Sequence, residues 1–551
     1  MQRKMEKKLM PAATLKVLVE VSSGRAEADQ FNNSQRSGHG WLCSSAGRAA
    51  VTMTALFVSL VGAGQPAHAQ TFTVLHNFAG SGGADGAGSY AGLIKDSQGN
   101  LYGTTQNGGS NGSGVVFKID SKGNESVLYN FSGSDGADPA AGLILDSANN
   151  LYGTTSFGGL SGAGTVFKLT PGGLESVLLS MSGNVGTYPF AGLTKDSQGD
   201  LYGTTSSDGT NSCSCGTVFK LDSSGNAAAF HNFSGTDGEF PLAGLVMDSQ
   251  RNFYGTTPNG GTSGAGTIFK LDPSGNATVL HSFVPSTDGG FPESGLIMDS
   301  AGNLYGTTAY RGGSANAGTV FKLDSSGNFT VLHVFSGNDG LNPLAGLVRD
   351  PSGNLYGTTA YGGSNGAGTV FKIDPSGTES VIHNFNPSTD GGYPYAGLMM
   401  DASGNLYGTT AGGGPNFDGT VFEITFAESF ASFRVRLDTT SGHPPGFDMK
   451  ALFTQAEGAA SIDPATQSIT LTVGTYTVAF PAGSFKVTKK GWWDFDGKIN
   501  GVSLEGRLRQ TGANSYDLKL KASKVDLNSL TNPVTVLLAI GNNTGTTQVK
   551  R

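Results

Sequence analysis

The chain has 551 residues, 86 of them glycine, and only 14% are charged; these values exclude a helical bundle and a charge-rich disordered protein, and they suggest turn-rich all-β structure. The length allows two or more domains. A formal net charge of -8, with acids and bases interspersed, leaves no basic stripe for a phosphate backbone, so no nucleic-acid partner is expected.

Residues 1–69 read as a leader. Within it, residues 49–64 are apolar (AAVTMTALFVSLVGAG), follow Arg48 and precede QPAHAQ. A basic flank, a short apolar stretch and Ala67-His68-Ala69 form a secretory signal, with cleavage expected before Gln70. The stretch is too short for a comfortable membrane span, and no other segment offers one. The mature chain is therefore expected to be exported, to the cell surface, the periplasm or the medium, with no transmembrane segment. Cys43 falls in the leader, so the mature chain keeps only Cys213 and Cys215. In the loop NSCSCGT this pair could close a local disulfide or supply half of a metal site.

Residues 70–426 repeat one sentence. LYGTT stands at Leu101, Leu151, Leu201, Leu304, Leu355 and Leu406, with FYGTT at Phe253, in steps of 50, 50, 52, 51, 51 and 51 residues. Such a period marks stacked or radial units, each too small to bury its own apolar face. The unit starting at Ala345 holds four short runs, AGLVRD, NLYGTT, GTVFKID and ESVIHNF, each bounded by turn residues. Four antiparallel strands per unit describe a propeller blade. Tight turns join the first to the second strand and the third to the fourth, whereas longer loops make the other two connections. In an up-and-down blade both longer loops share one face.

Seven copies of the first three strands begin at Ala91, Ala141, Ala191, Ala243, Ser294, Ala345 and Ala396, but only six fourth strands follow them. The missing one stands at the front as TFTVLHNF. We therefore expect a seven-bladed propeller closed by its N-terminal strand, which removes open edges. The pattern LYGTT...GG...G.GTVFKLD..GN.TVLH.F resembles the GloVer repeat of exported bacterial proteins with a choice of C-terminal anchors, from Gln70 to about Phe426. More distantly, GL..D..GNLY resembles NHL-type propellers. The resemblance implies a propeller and an exported protein, and it supplies no activity. The tail, NNTGTTQVKR, matches neither a sortase motif nor an apolar anchor.

Residues 427–551 have fewer glycines and more lysine and arginine, in alternating segments such as SITLTVGTYTVAF and SYDLKLKAS. These read as strands with one buried face, giving a second, smaller antiparallel β-sandwich or barrel. In WWDFDG, Trp493 and Phe495 share one strand face; Trp492 lies on the other and is a ligand candidate.

Three sets of residues compete as sites. Histidine recurs on the fourth strand at His76, His231, His281, His333 and His383; symmetry keeps these apart, so they cannot share one ion and read as structural. Asp-Gly recurs in the loops entering each unit at Asp85, Asp135, Asp237, Asp288, Asp339 and Asp390. Each can cap its own turn; the sharper reading is a calcium ring, which needs six to eight oxygens. Aromatic residues gather on the same face. Tyr188, Phe240, Phe291 and Tyr393 precede prolines and read as packing, whereas Phe157, Tyr310, Arg311, Tyr361 and Phe417 vary inside a fixed frame and are the better ligand candidates. The innermost strand varies too, at Lys95, Leu145, Lys195, Met247, Met298, Arg349 and Met400, which could tune a central cavity.

No nucleophile elbow, zinc-protease helix, phosphate loop or dinucleotide fingerprint is present. The expectation is a non-catalytic binding or scaffold protein facing a polysaccharide or a cell-surface protein. The alternatives are a polysaccharide-active glycosidase or lyase on the same face and a purely structural surface protein.

Overall fold

The computed structural model describes residues 70–80, 83–210, 213–312, 316–426 and, in shorter stretches, 428–549. The leader of residues 1–69, with its expected secretory signal and Cys43, lies outside the described residues. Among the described residues there is no helix, and hence none long and apolar enough to cross a membrane. They form seven four-stranded antiparallel sheets in succession, then a five-stranded and a six-stranded sheet.

The sixth sheet shows why the repeat folds as it does. Val348–Arg349 pairs with Leu355–Thr359, which pairs with Thr369–Ile373, which pairs with Glu379–Asn384. The first turn is folded by Asp350, whose carboxylate accepts hydrogen bonds from the Asn354 backbone at 2.8 Å, the Asn354 amide at 2.6 Å and the Tyr356 hydroxyl at 3.2 Å. D..GNLY is therefore an Asx turn with its own clamp. The glycine of LYGTT leaves room for a ring: a Cβ on Gly357 would lie 2.6 Å from Phe371 Cζ and 2.8 Å from Leu347 Cδ2.

The first strand is shorter than the expected AGLVRD run, with only two residues in the ladder. The preceding backbone is used sideways instead. The Ala345 carbonyl accepts a hydrogen bond from Thr307 of the previous sheet at 3.3 Å, and Gly346 lies against Gly295 closely enough that a Cβ would sit 3.5 Å from its carbonyl. Equivalent bonds run from Thr104 to Ala141, Thr154 to Ala191, Thr204 to Ala243, Thr256 to Ser294 and Thr358 to Ala396. Thr409 of the seventh sheet completes the set by donating to the Ala91 carbonyl, just before the first sheet, at 3.0 Å.

Gln70–Asn77 takes the fourth place in the seventh sheet, antiparallel to Thr420–Phe426, as the strand count requires. Apolar clusters lie between successive sheets. At six of the seven junctions the phenylalanine that follows the fourth strand meets the next sheet's third-strand phenylalanine edge to face, with Phe131–Phe167 centroids 5.1 Å apart and Phe78–Phe117 centroids 5.3 Å apart; after the second sheet Met181 takes that place against Phe219. One cluster joins Phe78, Leu93, Val115 and Phe117 with Tyr407 and Val421 of the seventh sheet. Lys95, expected as a cavity-tuning residue, also reaches sideways, to Asp401 at 3.0 Å and the Tyr407 hydroxyl at 2.9 Å.

The two later sheets share one core. Phe447, Met449, Leu504 and Leu518 of the six-stranded sheet pack with Leu471, Val478, Val536 and Leu538 of the five-stranded one. The expectation of a purely antiparallel arrangement is corrected at one place: Glu428–Ser429 runs parallel to Asn543–Val549.

Candidate functional site

The two longer loops of each repeat meet through isolated bridges, so they form one surface. In the fifth repeat Gly290 and Tyr310 exchange backbone hydrogen bonds at 2.9 and 3.2 Å, and in the sixth Leu341 and Tyr361 do so at 2.7 and 3.0 Å. This pairing fixes the loop backbones and leaves their side chains outward: Phe157, Tyr310 and Tyr361 are each 38–40% exposed and Phe417 is 71% exposed.

Several of these residues occupy backbone that glycine adopts more easily. Arg311 has φ 65°, where five other repeats place Gly108, Gly158, Gly260, Gly362 and Gly413 and the third places Asp208; Phe417 also has φ 65°, where Gly112, Gly162, Gly264 and Gly366 stand. The residues before proline, Tyr188, Phe240, Phe291 and Tyr393, all lie at φ 58–59°. A side chain in this region costs on the order of 1–2 kcal/mol. Packing alone does not demand these rings, since Gly88, Asp138 and Asn342 fill the same position elsewhere.

The structure brings part of the candidate set together. Tyr361 meets Tyr393 edge to face at 5.5 Å and hydrogen-bonds Tyr395 through its hydroxyl; Tyr395 in turn lies 5.1 Å from Tyr90. Tyr310 contacts Phe291 at 6.0 Å, and the Arg311 guanidinium stands over the Phe291 ring at 5.5 Å. Phe291, Tyr310, Arg311 and Asn316 line a depression of about 460 Å³. Burial raises the Tyr310 hydroxyl, with Glu293 and Tyr361 adding to the rise, and burial raises Glu293 itself. The result is a tyrosine cluster with one cation and one acid, spanning the fifth, sixth, seventh and first repeats. Tyr90, Tyr395 and Glu293 were missed in the sequence. Their signal is variation at one aligned position, occupied otherwise by Ala140, Phe190, Leu242 and Leu344.

The other candidates fall elsewhere. Phe157 forms a separate group with Tyr188 and Phe190, at 5.4 and 6.2 Å, and Phe417 stands outside the ring contacts described above. Trp492 is half-buried under Arg507 and Lys490, at 5.0 and 5.3 Å. The same sheet face carries a mixed-charge depression of about 590 Å³ that includes Asp448, Lys450, Asp494 and Lys519. Trp493 and Phe495 pack against the core. Cys213 and Cys215 are joined as a disulfide.

The six aspartates of the expected calcium ring are each engaged locally. Asp339 shows the pattern: Oδ1 accepts from the Ser336 backbone and hydroxyl at 2.8 and 2.9 Å, and Oδ2 lies 3.0 Å from His333 Nε2. Asp85, Asp237, Asp288 and Asp390 likewise pair with His76, His231, His281 and His383, and Asp135 pairs with Tyr129. Among the described residues no group of three metal-capable donors contains two of these aspartates. The repeated histidine and the repeated aspartate thus form a clip at five of the seven four-stranded sheets, a relation sequence reasoning missed because the two were weighed separately.

A family model described as the Gloeobacter/Verrucomicrobia repeat matches residues 65–247, 144–351 and 308–461. No curated protein matches the chain. Among solved structures, a putative 6-phosphogluconolactonase from Bacteroides uniformis is 16% identical with a TM-score of 0.37, over 53% of this chain and 83% of that one. A puromycin hydrolase is 12% identical with a TM-score of 0.42, over 69% and 60%. The Bacteroides ovatus xyloglucan protein GH43B is 12% identical with a TM-score of 0.28, over 86% and 87%.

Proposed function

This chain belongs to the Gloeobacter/Verrucomicrobia repeat family, and from that premise we propose that it is an exported, non-catalytic binding protein whose loop face holds a polysaccharide. Its repeats form a closed seven-bladed propeller over residues 70–426, with residues 427–551 as a separate module. Closure is supported by the Thr409 to Ala91 hydrogen bond, the N-terminal strand in the seventh sheet and the cluster around Phe78. Export is supported by the signal-like stretch at residues 49–64.

The observation that carries the binding reading is the cluster of Tyr90, Tyr310, Tyr361, Tyr393 and Tyr395 beside Arg311 and Glu293. Sugar rings present C–H faces that aromatic rings cover and hydroxyls that tyrosine, arginine and carboxyl groups can bond. The cluster breaks the repeat symmetry, as a specific site does.

A glycan array with the purified protein tests this. Saturable binding is expected, and Tyr310→Ala and Tyr361→Ala should each weaken it by about tenfold, near 1.4 kcal/mol, with Leu160→Ser on a neighbouring loop without effect. Absence of binding to every glycan would sink the reading. Turnover of a polysaccharide, lost in Glu293→Gln, would replace it with an enzyme.

A further inference from the structure

We propose that two junctions between neighbouring sheets each bind a divalent ion of the zinc class, one at His76, Asp85 and Glu125 and the other at His333, Asp339 and Glu379. In each triad one imidazole nitrogen and two carboxylate oxygens lie within 4.8 Å of one another. The His–Asp distance of 3.0 Å in both is near the roughly 3.3 Å that separates two ligands 2.0–2.2 Å from a tetrahedral ion. The third donor comes from the next sheet: Glu125 and Glu379 each begin a fourth strand, and each has Oε1 fully buried with no hydrogen-bond partner.

The chain contains its own controls. Five His–Asp clips exist, and the residue facing the imidazole differs. Phe72 stacks on His383 at 3.8 Å and Phe329 on His281 at 3.9 Å. His231 turns its Nδ1 to the Gly275 carbonyl at 3.2 Å, with Ala277 at the facing position. Only opposite His76 and His333 does a carboxylate arrive. Glu175 fills the same position opposite Tyr129, where no imidazole is available.

In the second triad Ser336 holds Asp339 Oδ1, leaving Oδ2 for the ion. The clip side chains keep 14–18% exposure, enough for water to fill open positions. On binding, the ion takes the place of the hydrogen between His Nε2 and the aspartate, and the neutral imidazole carries its hydrogen on Nδ1 instead. The first ion would fasten the N-terminal strand to the first sheet, and the second would fasten the fifth sheet to the sixth.

Titration of the metal-free, full-length protein with zinc, read by calorimetry and by the visible bands of a cobalt substitute, tests the assignment. About two ions per chain are expected, with a rise in Tm. Glu125→Gln and Glu379→Gln, which keep side-chain shape, should each lose one site, their combination both, and Glu175→Gln neither. Failure to bind zinc, or binding unchanged in the double variant while its far-ultraviolet spectrum remains native, would overturn the proposal.

Discussion

Glu175 shows what a single carboxyl does when the fold buries it without a partner. Burial, and then the charge of Asp135, push it up to about 7. An unfolded glutamate titrates near about 4.3, so between these values the folded chain holds a proton that the unfolded chain has lost. Stability linked to this group is therefore complete below the unfolded value and falls as pH rises through 7. Glu175→Gln removes the titration, and melting curves between about pH 5 and about pH 8 should decline less steeply for the variant than for the parent; parallel curves would contradict the raised carboxyl. At this scale the sequence was informative about identity and poor about partners. His333 and Asp339 were both visible as repeated residues, but their pairing, and the approach of Glu379 from the next sheet, depend on contacts between segments that no local pattern encodes.

At the scale of the element, the LYGTT strand is the most constrained piece of the chain. Every residue of Leu355–Thr359 is buried, and Gly357 sits where a Cβ would overlap the Phe371 ring. Gly357→Ala is expected to cost about 1–3 kcal/mol through overpacking, measurable as a lower midpoint in urea, whereas Gly366→Ala meets open space and pays only for its positive φ of 74°. Equal costs would mean that the ring is free to move aside. Strand and turn positions were legible because alternation and turn residues are local signals. The first strand was overestimated because AGL looks extended; the Ala345 carbonyl serves the neighbouring sheet instead of its own ladder. The aromatic loops were half legible. Tyr310, Arg311 and Tyr361 stood out as departures from the repeat, whereas Tyr90 and Tyr395 look like ordinary linker residues until the loops bring them beside Tyr361.

For the whole molecule, the test of closure is a comparison of two phenylalanines. Phe78 and Phe233 are both fully buried at the end of a fourth strand. If the propeller is closed, Phe78→Ala costs as much as Phe233→Ala, about 3–5 kcal/mol each; a much smaller loss at Phe78 would mean that the N-terminal strand is loosely held. By itself, the sequence determined the all-β class, the repeat, the four strands of each unit and the need for Gln70–Asn77 to complete the last sheet, because period, alternation and strand count are properties of the chain order. Only the tertiary structure decided which side chains meet. The threonine bonds between sheets join residues 37 to 39 positions apart, and 318 apart for Thr409 and Ala91, and side-chain chemistry at such junctions depends on distance in space.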